Sequence, residues 1–293
     1  MQNLIDGRAI SGQIHAETAQ RVAALRQRGV QPGLVFVRVG EDPASQVYVG
    51  MKERKSRELG IHSETIVLPA ATSQADLLTL IHQLNQNPAW HGILVQAPLP
   101  SHIDSAAIFA AVDPGKDVDG FHPLNVGRLL LGDTTGFVPC TPAGVHELLI
   151  RSKVPISGAN VVILGRGNIV GKPMAAILVQ KGRSANATVT VCHSATRHIE
   201  EHTRRADIIV AAMGVPRFLT AAHIRPGTVI MDVGVNRIPD PSATGGTRLV
   251  GDVAFDEVQP IAGLITPNPG GVGPMTIAML LANTARAAEM ATA

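Results

Sequence analysis

Apolar and polar positions along the chain switch repeatedly between a short extended pattern and a helical one. LVFVRVG (34–40) is an apolar, β-branched run ending in Gly40, which predicts a strand. Asp42-Pro43 then supplies a helix N-cap with proline at the first helical position, and Gly60 is placed to end a helix running from 43 to about Leu59. IHSETIVLP (61–69) predicts a second strand, Ser73 and Asp76 a capping box opening a helix to about Asn85, and GILVQ (92–96) a third strand. Between Pro98 and Thr141 the regularity fails, and APLPSHID and VDPGKDVDGFHPLN read as long turn-rich loops of the kind that often carry function. Alternation resumes with strand 159–165, a helix to about Lys181, and strands 187–193, 206–212 and 227–234. A loop, LITPNPGGVG (264–273), leads into PMTIAMLLANTARAAEM (274–290), a helix with one apolar stripe at 277, 280, 281 and 284/285. Uninterrupted apolar strands alternating with helices predict parallel sheets covered on both faces, and hence two α/β domains.

Composition supports that scale and narrows the partners. The chain has 293 residues, 45% hydrophobic but only 3% aromatic, so aliphatic side chains must fill the cores. With 25 basic and 23 acidic residues the net charge is +2, and the densest basic run, Lys52 to Arg57, is broken by Glu53. That is no footprint for nucleic acid. Two cysteines, Cys140 and Cys192, make neither a disulfide framework nor a cysteine-rich zinc site, and the scattered histidines lack metal-ligand spacing, so no metal is expected. MQNLIDGRAISG has Asp6 and Arg8 where a signal peptide needs an apolar core, and no apolar run approaches the ~18 residues of a membrane span. A soluble cytoplasmic protein, with neither membrane nor nucleic acid as partner, is the expectation.

The sequence VVILGRGNIVGKP (161–173) places glycines where a strand ends and a helix begins. Gly165 permits the sharp turn, Gly167 permits a pyrophosphate to approach the backbone, and the free N–H groups of the helix start attract phosphate. The spacing to Gly171 is one residue longer than the usual dinucleotide fingerprint. The next strand ends Cys192-His193-Ser194, without the carboxylate that would hold an NAD ribose and repel a 2′-phosphate. Arg166, Ser194 and His193 are therefore candidates for that phosphate, which favours NADP; the plain alternative is that Arg166 is a solvated loop arginine.

Tyr48 and Lys52, in SQVYVGMK (45–52), lie four apart on one face of the helix that begins beyond the carboxyl end of strand 34–40. Gln96 ends strand 92–96, and Asp117 and Asp119 lie in the loop after it, so these residues are placed to converge. A lysine of ordinary pKa, ~10.4, is a poor base at neutral pH, and burial would lower it. From these residues alone, a surface Tyr–Lys pair remains an open reading.

Taken together, SQVYVGMK (45–52), GILVQAPLP (92–100), KDVDGFHPLNVGRL (116–129), PCTPAGV (139–145), GRGNIVGKP (165–173), ATVTVCHS (187–194), MDVGVNR (231–237), VGDV (250–253) and ITPNPGGVGPMT (265–276) resemble the bifunctional methylenetetrahydrofolate dehydrogenase/cyclohydrolase family over nearly the whole chain. The resemblance implies two α/β domains around a cleft, the second a Rossmann-like parallel sheet that binds NADP. It implies a catalytic, folate-binding domain over residues 1–142, an NADP-binding domain over 143–273, and a last helix, 274–293, packed back on the first domain. It implies Lys52 as the catalytic lysine, Tyr48 as the residue packing on the folate ring, Gln96 as the contact tuning that lysine, and Asp119 as the pterin's hydrogen-bond partner. Pro98, Leu99, Pro269, Gly270 and Gly271 would border the folate, and Gly165, Arg166, Gly167, Ser194 and Val235 the NADP. The implied reaction is oxidation of 5,10-methylenetetrahydrofolate with NADP⁺, then hydrolysis of the methenyl product to 10-formyltetrahydrofolate, in a homodimer. A monofunctional dehydrogenase, NAD-linked, is the alternative. Departures from the pattern include Ala97 for a common leucine, Gly167 for a frequent serine, Asn268 for a frequent valine, and a short insertion at 182–185.

Overall fold

A computed structural model describes residues 3–242 and 246–292. The first half runs α1 (Gly7–Gln27), β1 (Gly33–Val39), α2 (Pro43–Glu58), β2 (His62–Leu68), α3 (Gln74–Gln86), β3 (Gly92–Val95), α4 (Ser105–Ala111), α5 (Pro123–Leu131) and α6 (Cys140–Arg151). The second half runs β4 (Asn160–Leu164), α7 (Gly171–Leu178), β5 (Thr188–Cys192), α8 (Ile199–Thr203), β6 (Ile208–Ala211), β7 (Val229–Asp232), β8 (Asn236–Pro239), β9 (Thr247–Val250), α9 (Phe255–Val258), β10 (Leu264–Ile265) and α10 (Val272–Met290). A 3₁₀ turn, Ala221–His223, lies between β6 and β7.

The chain divides into two compact units. One, here the Lys52 unit, comprises Gly12–Cys140 and the segment from Ile277 onward. Its parallel sheet has the order β2-β1-β3, with Val37 opposite Val95 and Ile66. Side chains alternate across the sheet, as a strand buried on both faces requires. Leu34, Phe36 and Leu94 pack with Val118, Phe137 and the α10 residues Leu280, Leu281 and Ala285. Val35, Val37, Ile93 and Val95 pack on the other face with Leu77, Ile81 and Leu84 of α3 and Ile108 of α4. The α2 start follows its sequence signal: Asp42 accepts the Ser45 N–H at 2.7 Å and Pro43 opens the helix. Gly60 ends it with φ of +78°, where a side chain would be strained.

The other, the Gly165 unit, comprises the residues up to Ser11 and Thr141–Thr276. Its five parallel strands have the order β10-β7-β6-β4-β5. Successive strands therefore leave β4 in opposite directions, β5 to one side and β6 to the other. Val162, Leu164, Ile209, Ala211, Ile230 and Ile265 fill one core face.

Four features differ from the sequence expectation. The opening 21-residue helix α1 was not predicted; its apolar positions are diluted by Gln, Arg, Glu and Ala, which leaves a weak stripe. The stretch from Pro98 to Thr141 is not wholly irregular, because Asp104 caps α4 and His122 caps α5 through their side chains. An antiparallel hairpin, β8 with β9, pairs Asn236 with Val250, and its partly polar strands gave no alternating signal. The apolar stripe of α10 also proves wider than 277–285, extending to Ala287 and Ala288.

Candidate active site

In the Lys52 unit α2 starts just past the carboxyl end of β1, which carries its side chains to the edge where open α/β sheets bind ligands. Lys52 is 8% exposed, while Tyr48, one turn earlier, is 38% exposed. The Ser56 hydroxyl donates back to the Lys52 carbonyl at 2.8 Å, tying down the turn that carries the lysine. Gln96 follows β3, anchored by its own N–H to Val37 O at 2.8 Å. Its side-chain amide donates to Ala97 O at 2.6 Å, which leaves Oε1 to accept from Lys52 Nζ at 3.0 Å. Pro98 is exposed beyond it, and Leu99 packs against the β1–β3 face.

Burial lowers the Lys52 pKa; the nearby Asp119 and Cys140 oppose that shift without reversing it. Burial likewise raises Asp119, against the pull of Lys52 and a hydrogen bond with the Cys140 thiol. The thiol itself is pushed well up, by burial and then by Asp119. The cluster thus favours the less charged form of each member.

Cys140 and Asn283 are the residues that sequence reasoning missed. The Asn283 amide donates to Val118 O at 2.8 Å and to Val138 O at 3.3 Å, bracing the backbone on either side of the cluster. Its one sequence signal was a carboxamide inside the apolar run LLANTA. Asp117, expected to converge on Lys52 with Asp119, has another task. Its carboxylate accepts the N–H groups of Gly120, Phe121 and His122 and the Asn125 amide, so it shapes the loop that leads into α5.

In the Gly165 unit the glycine turn joins β4 to α7. Gly165 has φ of +114°, and a Cβ there would fall 2.2 Å from Ala212 O. A Cβ on Gly171 would fall 2.1 Å from Gly165 O, so the start of α7 lies directly on the turn. Gly167 faces open space, and the first turn of α7 has no side-chain cap. The unobstructed Gly167 lets a pyrophosphate approach the backbone, while at the helix start Lys172 N–H already donates to Gly167 O at 3.1 Å and Pro173 has no N–H to offer. Leu164 pairs with Cys192, so Arg166 and Ser194 each lie two residues beyond paired positions on neighbouring strands, and both are exposed. Val235 follows β7 and is 56% exposed. These residues fit NADP.

Pro269, Gly270 and Gly271 follow β10 in this same unit, not in the Lys52 unit. They abut the chain's beginning: a Cβ on Gly7 would fall 1.8 Å from Gly271 O.

Two family models match the chain. Residues 5–119 match the tetrahydrofolate dehydrogenase/cyclohydrolase catalytic domain, and residues 139–292 match the tetrahydrofolate dehydrogenase/cyclohydrolase NAD(P)-binding domain. The bifunctional protein FolD of Prosthecochloris aestuarii is 55% identical over 283 residues, which cover 96% of each chain. The crystal structure of the bifunctional FolD methylenetetrahydrofolate dehydrogenase/cyclohydrolase of Campylobacter jejuni is 44% identical with a TM-score of 0.93, covering 98% of this chain and 99% of that one. The Trypanosoma brucei methylenetetrahydrofolate dehydrogenase-cyclohydrolase, solved with NADP and an inhibitor, is 41% identical with a TM-score of 0.93, covering 100% of this chain and 99% of that one. With both halves matched and relatives aligned almost end to end, the chain belongs to the tetrahydrofolate dehydrogenase/cyclohydrolase family.

Proposed function

We propose that the chain oxidises 5,10-methylenetetrahydrofolate to 5,10-methenyltetrahydrofolate with NADP⁺ and hydrolyses that product to 10-formyltetrahydrofolate. The observation that carries this reading is the buried Lys52, held by Gln96 at 3.0 Å and shifted by burial towards its neutral form. When bound, NADP⁺ accepts the hydride released from the one-carbon bridge. Folate nitrogen lone pairs stabilise the methenyl cation that results.

In the second step water attacks the methenyl carbon. Neutral Lys52 takes one proton from the water oxygen as it adds and returns it to the ring nitrogen as that nitrogen's bond to the carbon breaks; the second proton of the water leaves to solvent as the formyl C=O forms. The net products are 10-formyltetrahydrofolate and one proton. Gln96 Oε1 holds the amine in place through both transfers. Tyr48 offers its ring face to the pterin, and Asp119 hydrogen-bonds the pterin's polar edge; Pro98 and Leu99 border the same substrate. The Lys52 unit thus carries the folate chemistry. In the Gly165 unit, Gly165, Gly167 and the start of α7 hold the pyrophosphate, Arg166 and Ser194 the 2′-phosphate, and Val235 makes a further NADP contact. A homodimer acting in the cytoplasm completes the reading; the dimer rests on the family resemblance alone, and the compartment on the polar residues Asp6 and Arg8 near the N-terminus and the lack of a membrane-length apolar run.

Replacing Lys52 by Met tests the division of labour. General acid–base catalysis contributes about 10²–10⁴-fold, so Lys52→Met should cut cyclohydrolase activity by that order and leave more of the dehydrogenase. Equal, complete loss of both activities in a variant that still binds folate would contradict the assignment.

A further inference from the structure

The cofactor reading uses one lip of the dinucleotide crevice and leaves two buried carboxylates beneath the other unexplained. In an open parallel sheet the crevice lies where successive strands depart to opposite sides, here between β4 and β6. One lip is the glycine turn after β4. The other is Ala212-Met213-Gly214, after β6, against which Gly165 is pressed.

Asp252, wholly buried just past β9, reaches under this second lip. Its Oδ2 accepts the Met213 N–H at 2.6 Å and the Gly214 N–H at 2.9 Å, and its Oδ1 accepts the Asn236 amide at 2.8 Å. Asp232, buried at the end of β7, accepts the Gly234 N–H at 3.0 Å and the Asp252 N–H at 2.9 Å. The Asn268 amide donates to Gly234 O from the loop after β10. The backbone is fitted closely around both carboxylates. A Cβ on Gly251 would fall 1.6 Å from Asp232 Oδ2, and one on Gly234 would fall 2.2 Å from Asp252 Oδ1.

Burying two carboxylates is costly, and an apolar core would hold a sheet edge at less expense. What these carboxylates add is direction: they fix backbone N–H groups in the loops that follow three strands. We propose that Asp252 is a positioning residue for the dinucleotide, holding the Met213–Gly214 lip from below and tying it, through Asn236 and Asp232, to the Gly234–Val235 segment. The inference rests on the NADP reading above. With the Met213 and Gly214 N–H groups engaged by Asp252, this lip leaves neither of those two donors for a phosphate.

The bifunctional chain contains its own control, because hydrolysis of authentic methenyltetrahydrofolate needs no NADP⁺. Three full-length variants, Asp252→Ala, Asp252→Asn and Asn236→Ala, would be assayed for cyclohydrolase rate, for dehydrogenase kcat and KM, and for NADP⁺ dissociation constant by calorimetry. Losing charge-assisted bonds to the lip should raise the KM and dissociation constant of Asp252→Ala by about 10-fold or more. Its cyclohydrolase rate should stay within about 2-fold. Asp252→Asn keeps one acceptor for the two N–H groups once the Asn236 amide turns over, and should recover most of the affinity. Asn236→Ala removes only the Oδ1 contact and should show the same split at a few-fold, which decides the matter if Asp252→Ala does not fold. Unchanged NADP⁺ affinity in a folded Asp252→Ala, or parallel loss of both activities, would overturn the positioning role. A wild-type chain that fails to bind NADP⁺ would instead overturn the cofactor reading itself.

Discussion

Lys52 shows how little a single residue declares about its surroundings. Tyr-x-x-x-Lys on a helix is as compatible with solvent as with a site. The partners that decide it, Gln96 and Asp119, come from a strand end and a loop far along the chain. At Arg166 the sequence offers a reason for a 2′-phosphate role, since the second strand of the Gly165 unit ends without a carboxylate. If Arg166 reads the 2′-phosphate, Arg166→Ala should weaken NADP⁺ by about 10–100-fold, the scale of a lost charge-assisted contact, while NAD⁺ changes far less. Titration against each dinucleotide would measure this; an unchanged preference would rule the role out. Asp232 gives a prediction of a different kind. Burial, helped by the charge on Asp252, raises its carboxyl from 3.8 to about 7, despite the N–H groups it accepts. Because the folded value lies above the unfolded one, the stability this group contributes is fully present below 3.8 and is lost as pH rises through about 7. Thermal midpoints should therefore fall between pH 5 and pH 8 and fall less steeply in Asp232→Asn. Asp117, raised to about 6, adds a slope of its own that the variant retains, so the difference between the two proteins is the quantity that counts. Identical slopes would mean that Asp232 does not titrate in this range.

At the level of elements, the strand–turn–helix at Gly165 was legible because glycine is needed there for reasons of local geometry. Gly165→Ala meets both a positive φ and the Ala212 carbonyl, so it should lower stability by about 2 kcal/mol or more and abolish NADP⁺ binding. Gly167 has no such constraint. Gly167→Ser should leave the melting temperature unchanged and tighten NADP⁺ by about 2–10-fold through one added hydroxyl. A melting curve and a binding isotherm for each variant separate the two glycines, and a destabilised Gly167→Ser would contradict the open space seen beside it. Short elements were less legible. The short helices α4 and α5 depend on Asp104 and His122 as caps within a stretch rich in Pro, Gly and Asp, where periodicity has too few turns to register. Asp117 looked like a partner of Asp119 from its spacing, yet the loop needs its oxygens for four donors of its own.

For the whole molecule, the sequence pattern indicated two α/β units, and only the family resemblance implied that the last helix returns to the first of them. Residues up to Ser11 join Thr141–Thr276, and the segment from Ile277 joins Gly12–Cys140. Those pairings rest on contacts such as Ile5 N–H to Ile265 O at 2.9 Å and Asn283 to Val118 O at 2.8 Å, which connect opposite ends of the sequence. The most direct test supplies the purified protein with 5,10-methylenetetrahydrofolate and either NADP⁺ or NAD⁺, following reduced dinucleotide and methenyltetrahydrofolate separately. Authentic methenyltetrahydrofolate is then added and its decay compared with the uncatalysed rate. NADP⁺-dependent reduction together with accelerated decay is the result expected of a bifunctional enzyme. Reduction with decay no faster than in buffer would contradict the central claim, leaving Lys52 as a binding residue in a dehydrogenase alone.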